Sequence, residues 1–421
     1  MDEPAVRFAG NRGAHRSGAG LDLTLAGQPQ RRSTPHGAIS PSELPDFLAP
    51  VFAQYPLPVV SGKGVWLRTR EGRRVLDLYG GHAVAALGYG HRGWTRALSA
   101  QARALSFQSN AVPLEVRLRA AQRLIRFSKL DFSSVFFVNS GAEANENALK
   151  MAFTITRRSH VAALEHSFHG RTAATGAITW GAAAKWYGYP RTPFDVSFIA
   201  RDAQHDIARH VTAATAAVIV EPIQGVGGAY DLSAQFLGAL RRRCDEVGAL
   251  LIFDEVQCGM GRAGEPFAAG LFGLQPDMIT TAKALGNGFP CAALLMTPRV
   301  ARAVKLDALG TTFGGGPMAC AVIEAVIEAI ESEQLLARVR HTSALIRERC
   351  LVGPVSACQG AGLLLGLRSV RPAKEIHAAL LERDILAGTS ADPNILRLLP
   401  PFVLEAEHVE LLRSALLDIG G

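Results

Sequence analysis

The chain has 421 residues, 48% hydrophobic and 19% charged, with 42 glycines and 22 prolines. That ordinary globular composition excludes wholesale disorder, a collagen-like repeat and a disulfide scaffold. Lys and Arg total 44 against 37 Asp and Glu, a formal charge of +7; the longest basic block is only Arg241–Arg243, so the surplus reads as a solvated surface, with no nucleic-acid partner expected.

Residues 1–40 are rich in Gly, Pro, Arg and Ser without an apolar period, and are expected to form a disordered or loosely attached tail. They contain no apolar h-region, so a secretory signal is not expected. No apolar run approaches the roughly 18 residues of a membrane span. The six cysteines lie in the second half without a C-x-x-C pair, as expected of reduced thiols in a cytoplasmic protein.

From Pro41 the pattern tightens. VWLRT and RRVLDLY read as hairpin strands joined at Glu71–Gly72, and helices follow at about Trp94–Leu105 and Leu114–Phe127. From Val135 short apolar runs alternate with helical stretches: VFFV, HVAAL, DVSFI, AAVIVE, LLIFDE, DMITTA and CAALLMT as strands, AEANENALKMAFTI and Ala234–Val247 as helices. This alternation predicts an α/β fold with a mostly parallel sheet covered on both faces. The last ninety or so residues read as a compact α+β unit. The expected organisation is a large domain over 91–330, with a smaller domain built from 41–90 and 331–421.

Among motifs, Gly259-Met-Gly261-Arg-Ala-Gly264 fits a dinucleotide fingerprint, but Glu265-Pro266 follows where a helix should open, so it reads as a loop. His166 and His169 have too few partners nearby in sequence for a metal site, and no metal is expected. Asn139-Ser140-Gly141-Ala142-Glu143 ends a strand and starts a helix, which suits either a phosphate cradle or a plain capping box. Asp254 closes a buried strand, at the end where ligands sit in open α/β sheets; the adjacent Glu255 should point to the opposite face. Lys283 stands alone in a small apolar stretch after a strand, where an amine either snorkels outward or is desolvated for Schiff-base chemistry. A phosphate cradle, a strand-end aspartate and a lysine, in that order, suit pyridoxal 5′-phosphate: N–H donors for its phosphate, an acid for its ring nitrogen, an amine for its aldehyde.

With these residues, eight segments in order resemble the class III, fold-type I, pyridoxal-phosphate-dependent aminotransferases, and within them the acetylornithine/ornithine group: DLYGGHAVAALGYGH, FFVNSGAEANENALKMA, HSFHGRT, VIVEPIQG, LLIFDEVQCGMGRAG, TTAKALGNGFP, GTTFGGGP and ILRLLPPF. The resemblance spans about Tyr55 to the C-terminus. It implies a large domain with a mostly parallel central sheet and a small α+β domain from both chain ends. It also implies exchange of an amino group between a diamino acid and a 2-oxo acid, with 2-oxoglutarate as the expected acceptor. An ω-transaminase for another amine, such as 4-aminobutyrate or 2,4-diaminobutyrate, and an aminomutase are the alternatives within the same chemistry. A basic nucleic-acid-binding protein that uses the fold only as scaffold is the alternative outside it, and retention of Lys283 and Asp254 argues against that.

The resemblance makes Lys283 the Schiff-base lysine and proton shuttle, and Asp254 the partner of the ring nitrogen. Ser140, Gly141 and Ala142 would hold the phosphate. Gln257 would meet the ring 3-hydroxyl side, and Phe168 would stack on the ring. Thr312 would reach the phosphate of a neighbouring subunit, which implies a homodimer with active sites at the subunit interface. Arg171 and Arg397 would bind substrate carboxylates, the first distal to the reacting carbon and the second at the α-carbon, with Thr311 and Glu221 beside them. Three departures stand out: Val226 replaces a glutamate in EPIQGVGG, Gly316 replaces an asparagine in GGGP, and Gly88-Tyr89-Gly90-His91-Arg92 replaces G-H-x-H-P. A valine cannot pair with Arg397 as the glutamate would, so that departure bears on substrate choice.

Overall fold

The computed structural model describes residues 49–420. The chain divides after Pro56, and everything below concerns the unit that starts at Leu57. The tail expected over 1–40 lies outside the described residues.

Seven strands form the central sheet in the order Ser134–Val138, Ala292–Met296, Met278–Thr281, Leu250–Asp254, Thr215–Val220, His160–Leu164, Asp195–Ile199. All run parallel except Ala292–Met296, which is antiparallel to both neighbours. The period of two along each strand explains why the sheet is covered twice. Leu251 and Phe253 face one core with Phe236, Leu237 and Leu240 of the helix Ala234–Val247. Leu250 and Ile252 face another with Leu149, Met151 and Ala152 of the helix Gly141–Thr156. Because all these apolar groups are buried, slipping the register by one residue would exchange the two sets.

Outside this sheet, Val59–Lys63, Trp66–Thr69 and Arg74–Asp77 form an antiparallel meander, to which Ile385–Leu386 adds in parallel, joining early and late chain. A second four-stranded sheet holds Val355–Ala361, Leu364–Ser369, Ile395–Leu398 and Gly388–Thr389. No helix among the described residues is long and apolar enough to cross a membrane. The six cysteines are free thiols.

One backbone feature stands apart. Gly80, Gly81, His82 and Ala83 have φ of 56°, 55°, 63° and 69°, a complete left-handed turn. Such a turn costs L-residues roughly 1–2 kcal/mol each, which glycine largely avoids. Surrounding bonds hold it in place. Asp77 Oδ1 accepts from the Tyr79 and Gly80 N–H groups at 2.8 and 2.9 Å. Tyr89, one of the sequence departures, donates its hydroxyl to Asp77 Oδ2 at 2.5 Å.

Candidate active site

The carboxyl ends of the parallel strands meet at one cavity of about 360 Å³. Asn139 follows one strand, Glu221 another, Asp254 ends a third, and Lys283 lies just beyond a fourth. This is where an open α/β sheet leaves room for a ligand. Ser140, Gly141, Ala142, Phe168, Glu221, Val226, Asp254, Gln257 and Lys283 all line the cavity. Arg171, Thr311, Thr312 and Arg397 are not among its lining residues.

At one end, Ser140 caps the helix Gly141–Thr156 and its Oγ accepts from Glu143 N–H at 3.2 Å. Glu143 returns to the strand end, accepting from Asn139 N–H at 2.9 Å. That variant of a capping box leaves the N–H groups of Gly141 and Ala142, in the first turn, without intrahelical acceptors. A Cβ on Gly141 would stand 2.8 Å from both methyls of Val256, so only glycine lets the helix start approach so closely.

Asp254 is 3% exposed and its bonds are fully specified. Oδ2 accepts from Asn145 Nδ2 at 2.8 Å and pairs with His169 Nδ1 at 2.7 Å. Oδ1 accepts from Val256 N–H at 3.0 Å. Asn145 in turn donates to His169 O at 2.8 Å and accepts from Thr280 Oγ1 at 2.6 Å. Glu255 turns to the opposite face as its strand position requires. Both its oxygens accept backbone N–H groups, at 2.5 Å from Ala268 and 2.9 Å from Ala269, and burial pushes its carboxyl up to about 8.

Lys283 opens a short 3-10 turn, Lys283–Leu285, with φ of 45°, a conformation that points to a local constraint on a functional side chain. Loss of hydration lowers its amine below the ordinary lysine value, although the carboxylates of Asp254 and Glu221 pull the other way. Lys283 is half-buried and lines the cavity, so its side chain faces the cavity and not the outer surface. Gln257 is 8% exposed and its Oε1 is a buried acceptor without a donor. Glu221, 4% exposed, accepts from Phe168 N–H at 2.8 Å and Gly225 N–H at 3.1 Å; burial raises its carboxyl to about 6.

On the side of the second sheet, Arg397 is 5% exposed. Its Nε donates to Thr389 O at 2.7 Å and its Nη1 to Gly225 O at 3.2 Å. Backbone carbonyls therefore take up the guanidinium, which the valine at 226 cannot pair. The Tyr79 ring lies 6.0 Å from that guanidinium, and the Tyr79 hydroxyl meets His82 Nδ1 at 2.5 Å. Burial lowers the His82 imidazole, as do the positive charges of Arg397 and Lys283. Arg171 is exposed and lies 4.4 Å over the Trp186 ring. Thr311 Oγ1 accepts from Gly314 N–H at 3.1 Å, and Thr312 is exposed.

Sequence reasoning missed Asn145, His169, Val256 and the Tyr79–His82 pair. In the sequence His169 reads only as half of a metal pair; its position directly after the stacking candidate Phe168 is the available signal. Asn145 lies one helical turn past Gly141, on the face that carries the helix start.

The arrangement can hold a flat anionic ligand. N–H groups stand ready for a phosphate, an aspartate oxygen for a ring N–H, an orphan amide oxygen for a hydroxyl, and a desolvated amine for a carbonyl carbon. Pyridoxal 5′-phosphate fits that donor set, and the glycine cradle and the Gln257 orphan acceptor are the observations that make it fit.

Comparison with known proteins gives the same direction. Residues 49–419 match the family described as Aminotransferase class-III. The acetylornithine aminotransferase of Mesorhizobium japonicum is 38% identical over 384 residues, covering 86% of this chain and 93% of the relative. The acetylornithine/succinyldiaminopimelate aminotransferase of Yersinia pestis is 37% identical, covering 89% and 95%. A crystal structure of the ornithine aminotransferase of Toxoplasma gondii, with partial occupancy of pyridoxal phosphate at its active site, superposes with a TM-score of 0.82 at 25% identity, covering 89% and 93%.

Proposed function

Because the chain belongs to the class III aminotransferases, we propose that it binds pyridoxal 5′-phosphate in this cavity and moves an amino group from an acetylornithine- or ornithine-like diamino acid to a 2-oxo acid, with 2-oxoglutarate as acceptor. The observation that carries this reading is the desolvated Lys283 lining the same cavity as Asp254 and the Gly141 helix start.

When bound, the cofactor supplies an aldehyde for amine exchange and a ring that withdraws electrons from the reacting carbon. The protein's own groups do the rest. The Gly141 and Ala142 N–H groups receive the phosphate at the positive end of the helix. Asp254, held by Asn145, His169 and the Val256 N–H, keeps a proton on the ring nitrogen. Gln257 Oε1 would accept from the ring hydroxyl, and Phe168 and Val256, which line the cavity, would flank the ring. Lys283 Nζ would take the proton from the carbon that carries the amino group and hand it to the carbon that accepts it, and the loss of hydration that lowers its amine from the ordinary lysine value favours the unprotonated form this needs. Arg397 receives the α-carboxylate, since a planar guanidinium binds a carboxylate bidentately.

We further infer a cytoplasmic homodimer in which Thr312 completes the partner's phosphate site. Thr312 is exposed on its own chain, beside Phe313 at 67% and Phe107 at 40% exposure, with the two rings 5.3 Å apart.

The test is spectroscopic and kinetic. The purified protein should be yellow and turn over a diamino-acid donor with 2-oxoglutarate. Lys283→Ala should lose both the visible-edge band and nearly all turnover. An unchanged spectrum and rate in that variant would overturn the assignment. A panel of donors separates this reading from other ω-transaminases and from an aminomutase.

A further inference from the structure

Arg262 lies in the loop after Asp254 and is 0% exposed. Its Nη1 donates to Leu363 O at 3.2 Å and to Pro400 O, and its Nη2 to Ala83 O at 3.5 Å. The guanidinium carbon stands 4.6 Å over the Phe402 ring. Its Nε has no partner, and Asp77 acts on it only at longer range. Burial lowers the group to about 9, so it remains charged at neutral pH.

A buried guanidinium bonded to neutral carbonyls is an expensive way to fill space, and apolar side chains of similar volume do so at lower cost. What a guanidinium provides and they do not is a rigid fork that holds several carbonyls at fixed separation. The carbonyls it holds belong to the substrate side of the site. Ala83 ends the left-handed turn and precedes Val84, which lines the cavity. Pro400 lies three residues past Arg397 on the same strand exit. Leu363 leads into Leu364–Ser369, the strand that pairs with Arg397. Arg262 itself is eight residues past Asp254 in the chain, so it ties the cofactor side to all three.

We propose that Arg262 is a positioning residue for substrate recognition: by holding the Ala83 and Pro400 carbonyls, it fixes the Val84 wall and the Arg397 strand relative to Asp254 and Lys283. The proposal rests on the function stated above for Arg397, and the test separates the two.

Holoenzyme and the variants Arg262→Met, Arg262→Lys and Phe402→Leu are compared by hydrogen exchange, by cofactor titration and by steady-state kinetics. Phe402→Leu keeps the arginine and removes the ring beneath it, so it carries the test if Arg262→Met does not fold. Exchange over residues 79–87 and 395–402 should accelerate about tenfold in Arg262→Met, while the helix start at 139–146 keeps its protection. The donor KM should rise about tenfold with cofactor affinity within about threefold of wild type. Arg262→Lys and Phe402→Leu should fall between the two. Uniform loosening, cofactor and donor affinity lost in equal proportion, or an unchanged KM despite local loosening would each overturn the proposal. A wild-type enzyme that transaminates no donor, yet shows the localised exchange in its variants, would overturn the functional reading and leave the linkage through Arg262 in place.

Discussion

Glu221 Oε1 accepts a hydrogen bond from the backbone N–H of Phe168 at 2.8 Å, so a buried carboxylate holds the loop that presents the aromatic wall of the cavity. Its second oxygen holds Gly225 N–H, and Gly225 O in turn receives Arg397. One acid thus links the cofactor loop to the substrate arginine.

Glu221 should leave a signature in stability against pH. Its carboxyl rises from 4.5 to about 6 on folding, so the folded state favours the protonated form. That contribution is fully present below pH 4.5 and is lost as pH rises through about 6. In apo-protein denaturation, wild-type stability relative to Glu221→Gln should therefore fall by about 2 kcal/mol between pH 4.5 and 7. A difference that stays constant across this window contradicts the assignment.

Gly141→Ala tests the cradle. Alanine favours helices by about 1 kcal/mol over glycine, so simple propensity predicts a gain in stability. The added Cβ would instead press on the Val256 methyls at 2.8 Å and displace the helix start from the phosphate. Cofactor affinity should drop about tenfold, roughly 1.4 kcal/mol, as measured by titration of the apoprotein. Wild-type affinity would remove the Gly141 N–H from the phosphate site.

Val226→Glu tests specificity. A glutamate here could compete with Thr389 O and Gly225 O for Arg397, masking it when a terminal amine enters. The ratio of kcat/KM for ornithine-type donors to that for glutamate should rise about tenfold, or about 1.4 kcal/mol in transition-state binding. A flat or falling ratio would exclude Val226 from substrate choice.

The subunit arrangement can be tested by complementation. If Thr312 serves the partner's site, Thr312→Ala and Lys283→Ala should each cripple a different half of one shared site. In a mixed dimer one site regains both an intact Lys283 and an intact Thr312, so mixing should restore activity above the sum of the separate variants. If Thr312 served its own chain, mixing would restore nothing. The interface should exceed roughly 2,000 Å², as in obligate dimers.

Much of the frame was legible because its cause is local. LLIFDE and AAVIVE are continuously apolar up to their acidic ends, as a sheet buried on both faces requires. Lys283 announced itself by sitting alone among small apolar residues. The antiparallel direction of Ala292–Met296 left no such trace, since CAALLMT has the same composition as its parallel neighbours. Asn145 and Asp254 are 109 residues apart, and only the folded sheet makes them partners. Arg262 sits inside a glycine pattern that reads as a loop, and the carbonyl acceptors of Arg397 carry no side-chain signature.

The left-handed turn at Gly80–Ala83 constrains how chains built on this frame can diversify. A Cβ on Gly80 would lie 2.6 Å from Leu399 O, and inserting or deleting one residue would break the phase that aims His82 and Val84. The loop cannot readily be lengthened to admit a bulkier ligand, nor relaxed into the right-handed form without moving Val84. A change of ligand preference at this wall therefore has to come through exchange of the side chain at 84, over a main chain that tolerates almost no editing.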